Sequence, residues 1–331
     1  MRGRPVAAID CGTNSTRLLI LDEKARRLER RMTITRLGAG IDRRKRLDPA
    51  ALERSLAVLG EYKELARRHG VGATRAVATS ALRDAVDAER FLSPAAELLG
   101  VRPEVISGEE EGRLSFRGAT ASLEDPAGPF LVLDIGGGST ELILGGGGAV
   151  SSSVSLDIGC VRVTERYLSS DPPTRDELEA ARRGIGEVLT AGLGPAESWR
   201  PARQLIGLAG TVSALTVMAL GLDGFREERV HRARLSREAV QELGKRFASL
   251  PVAERRALRG MEEARADVIL GGSLVLDEVM GYLGWEELVA SEADILDGVA
   301  AELLAARGCP TPEPQPESST HEPGASATIA R

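Results

Sequence analysis

The chain is short of aromatic side chains, cysteine and histidine. Phe, Trp and Tyr make up 3% of its 331 residues, so its cores must be built from Ala, Val, Leu and Ile. The cysteines, Cys11, Cys160 and Cys309, are scattered without metal-ligand spacing, which fits a reduced, cytoplasmic protein. An excess of positive charge is also missing. The formal net charge of −6 argues against a broad grip on nucleic acid, although a cleft can be locally basic on an acidic protein. The opening residues, Met-Arg-Gly-Arg-Pro, lead straight into an apolar stretch and leave no room for a signal peptide. One window, 205–222, is apolar enough to consider as a membrane span. Its modest length, glycines and hydroxyl residues favour a buried strand–turn–helix instead. Hydrophobic residues at 42% and charged residues at 28% are ordinary for a globular protein, and the length suggests two domains.

The most informative stretch is 130–144, Phe-Leu-Val-Leu-Asp-Ile-Gly-Gly-Gly-Ser-Thr-Glu-Leu-Ile-Leu. It reads as an apolar strand, a glycine turn (Gly136, Gly137, Gly138) and a second apolar strand. Glycines let a backbone approach a ligand closely and aim successive N–H groups at phosphate oxygens. Asp134 and Glu141 frame the turn, a natural seat for a hard divalent cation that keeps most of its water. An ordinary hairpin with two solvated acids would carry the same residues. A second copy at 6–20, Val-Ala-Ala-Ile-Asp-Cys-Gly-Thr-Asn-Ser-Thr-Arg-Leu-Leu-Ile, matches with a constant offset of 124 residues. Asp10 falls on Asp134, Gly12 on Gly136 and Ser15 on Ser139. Two such hairpins half a chain apart imply a duplicated domain and an anion held between the copies.

The rest of the chain supplies further candidates. A third antiparallel strand is expected over 27–36, and the basic run 43–46 is either a solvated face or an anion contact. Asp48 and Pro49 open a helix to about His69. A strand over 74–78 leads to a helix capped by Ser80, which puts Arg83 in a first turn where it could pair with an anion or with Asp84 and Asp87. A strand over 101–106 precedes Ser107, which forms a capping box with Glu110. Glu111 has no such structural reason. It could be a proton acceptor whose affinity is raised by neighbouring acids, or it could complement a helix dipole. Helix 109–121 leads to a domain boundary near 122. A strand over 150–156 and helices starting at 159 and 174 follow, with Cys160 read as a packing or loop-lining residue. A third strand–glycine turn–helix, 205–212, offers Gly210 and Thr211 to a phosphate. His231 reads as an exposed linker residue. Helices are expected at 236–249, 251–259, 263–283 and 294–306, with a short strand at 288–291. The Pro-, Glu- and Ser-rich tail at 309–331 is expected to be disordered.

Taken together, 8–15, 78–83, 106–114, 133–141 and Gly210-Thr211 resemble the exopolyphosphatase / guanosine pentaphosphate phosphohydrolase family, in the actin-like, sugar-kinase-like superfamily. The resemblance spans about 6–305. It implies an α/β fold of two actin-like (ribonuclease-H-like) lobes, 1–122 and 123–308, with the active site in the cleft between them; the final helix is a candidate to pack back onto the first lobe. It further implies Glu111 as general base, and Asp134 and Glu141 holding Mg2+ or another divalent cation. Asp10, Gly12, Thr13, Asn14, Ser15, Arg83, Gly136, Gly137, Gly138, Ser139, Gly210 and Thr211 would bind the phosphates. The reaction it implies is in-line attack of water on a terminal phosphoryl group.

Two departures stand out. The Leu-Arg-Glu-Gly segment frequent in the family reads Ile295-Leu-Asp-Gly here, without a positive charge at Leu296. The chain also lacks the extra C-terminal helical domains of longer members, which puts processive action on long polyphosphate in doubt. Substrates implied are inorganic polyphosphate and guanosine pentaphosphate, with neither nucleic acid nor membrane as partner; a homodimer is left open. An ATP-dependent kinase would need an acceptor site, and a non-catalytic sensor would have no use for Glu111, Asp134 and Glu141.

Overall fold

A computed structural model describes residues 3–121, 123 and 128–308; the expected boundary near 122 and the tail lie outside the described residues. Strands β1 (Val6–Cys11), β2 (Ser15–Leu21), β3 (Arg27–Ile34), β4 (Ala73–Ala78) and β5 (Glu104–Val105) form one sheet in the order β3-β2-β1-β4-β5. Strands β6 (Phe130–Ile135), β7 (Thr140–Gly146), β8 (Ala149–Leu156), β9 (Gln204–Leu208), β10 (Arg234–Ser236) and β11 (Glu287–Ala290) form the other, in the order β8-β7-β6-β9-β11-β10. β1 runs antiparallel to β2 and parallel to β4; β6 runs antiparallel to β7 and parallel to β9. The second sheet repeats the first with β10 added at its edge. This is the duplication that the repeat implied, in the two-lobe actin-like α/β fold that the resemblance implied.

β1 and β6 read as continuous apolar runs because both faces of each sheet are covered. From β1 and β2, Ala7, Ile9, Leu18 and Ile20 pack on Leu59 and Tyr62 of the helix Pro49–Arg68 and on Phe91 of Glu89–Leu99. The alternate residues Val6, Ala8, Leu19 and Leu21 pack on Leu296, Val299 and Leu304 of the final helix, Ile295–Ala306. In the second lobe, Leu131, Leu133 and Leu142 face Ile185 and Leu276 on the helices Arg175–Leu193 and Ile269–Leu283. The helix Gly108–Thr120 joins the two halves: Leu114 enters the first lobe's core, and Phe116 packs with Phe130, Val132 and Ile143. Gly118 and Gly298 are where this helix meets the final one. A Cβ on Gly118 would lie 1.9 Å from the Asp294 carbonyl oxygen, and one on Gly298 would lie 2.1 Å from that of Leu114.

Several local expectations are corrected. The strand over 101–106 shrinks to Glu104–Val105, since Pro103 has no N–H to donate. The helix Ser80–Asp84 has Thr79, not Ser80, as its N-cap. The capping box at Ser107 is half formed, because Glu110 turns away to Arg113 at 2.7 Å. The segment 263–283 divides into a 3-10 turn, Glu263–Arg265, and the helix Ile269–Leu283. His231 is half-buried, and its Nδ1 accepts from the Glu292 N–H at 3.1 Å. Among the described residues no helix is long and apolar enough to cross a membrane.

Candidate active site

The two glycine turns are built alike and press against each other. Gly12 N–H donates to Ser15 O and Gly136 N–H donates to Ser139 O, each at 3.0 Å. A Cβ on Gly137 would lie 2.9 Å from Thr13 Cβ, and one on Gly138 would lie 2.4 Å from Ser80 Oγ. Glycine is therefore needed at 137 and 138 for the lobes to meet. The amides of Thr13, Asn14, Gly137 and Gly138 donate to no backbone carbonyl among the described residues.

Beside the turns lies a cavity of about 570 Å3, whose wall includes Asp10, Asn14, Glu111, Asp134, Ser139 and Thr211. Gly12, Thr13, Ser15, Gly136, Gly137, Gly138 and Gly210 also reach it, whereas Arg83 and Glu141 stand behind the wall. Seven carboxylates and four guanidinium groups line it, so a polyanion could enter only with cationic help.

Glu111 sits in the first turn of the helix Gly108–Thr120, and its Oε2 accepts from Arg83 Nη1 at 2.7 Å. That nitrogen also donates to Ile106 O at 3.0 Å. Burial pushes the Glu111 carboxyl up to about 7; Arg83 pulls it down, and the charges of Asp134 and Asp10 push it further up. Asp134 is pushed up to about 6 by burial, against the pull of Arg17 and of the Ser115 hydroxyl, which donates to its Oδ2 at 2.7 Å. Glu141 is driven well above the ordinary carboxylate range by burial and by the Glu111 and Asp134 charges. Its Oε1 accepts from Ser155 Oγ at 2.7 Å.

At this site three buried polar atoms, Asp10 Oδ1, Glu141 Oε2 and Asn14 Nδ2, have no hydrogen-bond partner among the described residues. An unmet buried carboxylate oxygen costs free energy unless a cation or proton meets it. Among the described residues no three His, Cys, Asp or Glu side chains enclose a metal. The donor set therefore suits a hard cation held by one or two carboxylates that takes its remaining oxygens from water and substrate, which is how Mg2+ binds.

Sequence reading missed Arg17, Arg30, Asp294 and Arg265. Arg17 donates to Asp10 at 2.6 Å and to Asp294, at the start of the final helix, at 2.5 Å. Arg30 from β3 donates to Asp297 at 2.9 Å and lies 3.1 Å from Asp294. Leu296 is buried on the cavity wall, which Arg17 from β2 and Arg30 from β3 also line, so the cavity carries guanidinium groups although position 296 has no charge. Arg265 fills the space beside Gly210, where a Cβ would meet its guanidinium at 2.1 Å. In that third turn the left-handed residue is Ala209, with φ 68°, rather than a glycine, a strained backbone of a kind that gathers at functional sites. Only the offset of 124 pointed to Arg17, since it takes Glu141's place in the first hairpin. Two residues of the basic run have backbone partners: Arg43 donates to Glu165 O of the second lobe and Arg44 to Ala39 O. Cys160 lines the cavity, and its N–H donates to Gly136 O at 3.0 Å.

Exopolyphosphatase 2 of Mycobacterium tuberculosis is 43% identical to the chain over 316 residues, covering 90% of this chain and 98% of that protein. The crystal structure of an exopolyphosphatase-like protein matches with a TM-score of 0.86 at 36% identity, covering 92% of this chain and 98% of the other. That of an exopolyphosphatase from Cytophaga hutchinsonii gives 0.84 at 28% identity, with the same coverage of both chains. The model of the Ppx/GppA phosphatase family matches residues 19–306. With a site of this design at the meeting of its two hairpins, the chain belongs to the Ppx/GppA phosphatase family.

Proposed function

We propose that the chain is an exopolyphosphatase that removes terminal orthophosphate from inorganic polyphosphate, acting on short chains. The observation that carries this is the convergence of Glu111 with both glycine turns on one cavity. Unpaired amides of the turns, Asn14 Nδ2 and the hydroxyls of Ser15, Ser139 and Thr211 are donors for phosphoryl oxygens. Glu111 takes the proton of a water attacking in line; with its affinity near neutrality it is poised to do so. Arg83, expected to bind phosphate, instead orients Glu111 through its 2.7 Å contact. Asp134 on the wall and Glu141 behind it would hold Mg2+ or another divalent cation, with Asp10 close by. Bound there, such an ion would neutralise charge on the phosphoanhydride oxygens.

One observation favours guanosine pentaphosphate as a second substrate. Away from the turns the wall becomes apolar, with Ala214, Val217, Met261 and Phe225, the last 55% exposed. A planar base could lie there while its terminal phosphate reaches Glu111. The test is orthophosphate release with Mg2+ from short polyphosphate, guanosine pentaphosphate and ATP. Polyphosphate should be the best of the three; turnover of ATP alone, with transfer to an acceptor, would replace this reading by a kinase.

A further inference from the structure

Apart from the acids of the cavity, a charge cluster between the lobes surrounds one buried guanidinium. Arg162, in the helix Cys160–Tyr167, is 5% exposed. Its Nε donates to Gly138 O in the second glycine turn at 2.7 Å. Its remaining hydrogen-bond partners are in the first lobe, while the exposed Asp157 of its own lobe lies 3.9 Å from Nη2. Nη1 donates to Asp42 at 2.6 Å, while Nη2 donates to the Asp84 carboxylate and, at 3.4 Å, to Ser80 Oγ. Asp42 also accepts from Arg166 at 2.8 Å, and the Gly40 N–H donates to Glu165 at 2.9 Å, so the seam continues on both sides. Asp84 directly follows Arg83, the residue that holds Glu111.

A guanidinium this buried is tolerated only while it is paired. Opening the cleft would remove Asp42, Asp84 and Ser80 from Arg162 together and leave Gly138 O and the distant, solvent-exposed Asp157. The closed state is thus favoured by a group that contacts the phosphate turn on one side and the segment holding the base on the other. We propose that Arg162 is a positioning residue for the hydrolysis. It docks the turn 136–139 onto the segment 80–84 and so keeps Glu111 facing the phosphate cavity before substrate arrives. Only the kinetic part of this inference rests on the phosphohydrolase reading above.

A residue that pre-pays closure has a distinct signature. Without it, substrate binding must close the cleft, so apparent affinity falls by the fraction already closed, while the saturated enzyme works normally. Arg162→Gln should therefore raise KM for short polyphosphate by about tenfold or more and leave kcat within about twofold. Arg162→Lys, which keeps the charge but cannot reach Gly138 O and both carboxylates at once, should fall between. In solution scattering, free Arg162→Gln should have a larger radius of gyration than the wild type. If that variant does not fold, Asp42→Asn, which leaves the Asp84 and Gly138 contacts, should raise KM in the same direction by about threefold. A loss of kcat at unchanged KM, unchanged kinetics, or identical scattering by wild type and variant would overturn the inference. A wild type that releases no phosphate would sink the functional reading instead, and scattering would still decide the role of Arg162.

Discussion

Arg17 and Glu141 occupy the same position in the two hairpins and carry opposite charges. Arg17 stands opposite Asp10 in the β1–β2 register, and Glu141 stands opposite Asp134 in the β6–β7 register. The first hairpin therefore neutralises its own acid at 2.6 Å, whereas the second sets two buried carboxylates side by side. A duplicated loop has become asymmetric at one residue, and the uncompensated charge lies on the second copy. That asymmetry is the reason the proposed divalent cation is placed at the second hairpin.

Chelation should abolish phosphate release, and added Mg2+ should restore it. Glu141→Gln removes one of the two facing charges while preserving shape and the Ser155 contact. Its half-saturating Mg2+ concentration should rise by about tenfold or more, in the range seen when groups supporting a metal site are altered. An unchanged Mg2+ titration would place the ion elsewhere.

Glu111→Gln should lower kcat by about 10³-fold while polyphosphate binding, followed by calorimetry, stays nearly intact. The same variant should be more stable than the wild type in alkaline buffer. The sign follows from the raised proton affinity: the folded protein holds the Glu111 proton up to about pH 7, the unfolded chain only to about 4.5. Stability from this group is full below the lower value and is lost as pH rises through the upper one. At pH 8 glutamine should therefore gain up to about 3 kcal/mol, shrinking to nothing near pH 4. Denaturant melts at the two pH values measure the difference.

Since Glu111 accepts protons only when ionised, kcat/KM should climb with pH and level off above about 7. Arg83 lowers the proton affinity of Glu111, so Arg83→Gln should move the rising limb to higher pH. A limb that stays in place would show that another group controls it.

The hairpins were legible because buried strands around a glycine turn leave a pattern that the second copy repeats at a fixed offset. Asp10 and Asp134 could be read from the same local chemistry, whereas Glu111 was singled out as a base only through the family resemblance. The clamp on Asp10 could not. Asp294 lies 277 residues from Arg17, and nothing local marks the start of the last helix as part of the first lobe's site. Arg162 was hidden for the same reason: its partners Asp42 and Asp84 lie 120 and 78 residues away. His231 read as a linker residue because the acceptor role of its ring depends on Glu292, 61 residues further on.

The crossing of the helices Gly108–Thr120 and Ile295–Ala306 sets where both Glu111 and Asp294 stand, and two glycines make that crossing possible. Alanine at 118 would favour the helix by about 1 kcal/mol through propensity alone. Its Cβ, however, would sit 1.9 Å from the Asp294 carbonyl oxygen, with the Asp294 carbonyl carbon at 2.8 Å and the Gly298 nitrogen at 3.0 Å behind it. All three atoms are backbone, so no rotamer change relieves the clash and the helices must separate. Overpacking of this kind costs about 1–3 kcal/mol or more and outweighs the gain in propensity. Gly118→Ala should therefore lose about 2 kcal/mol net in denaturant unfolding. It should also lower kcat, because the shift pulls Asp294 away from Arg17 and tilts the first turn that carries Glu111. A Gly118→Ala protein with wild-type stability and kcat would mean that the two helices are not held this closely.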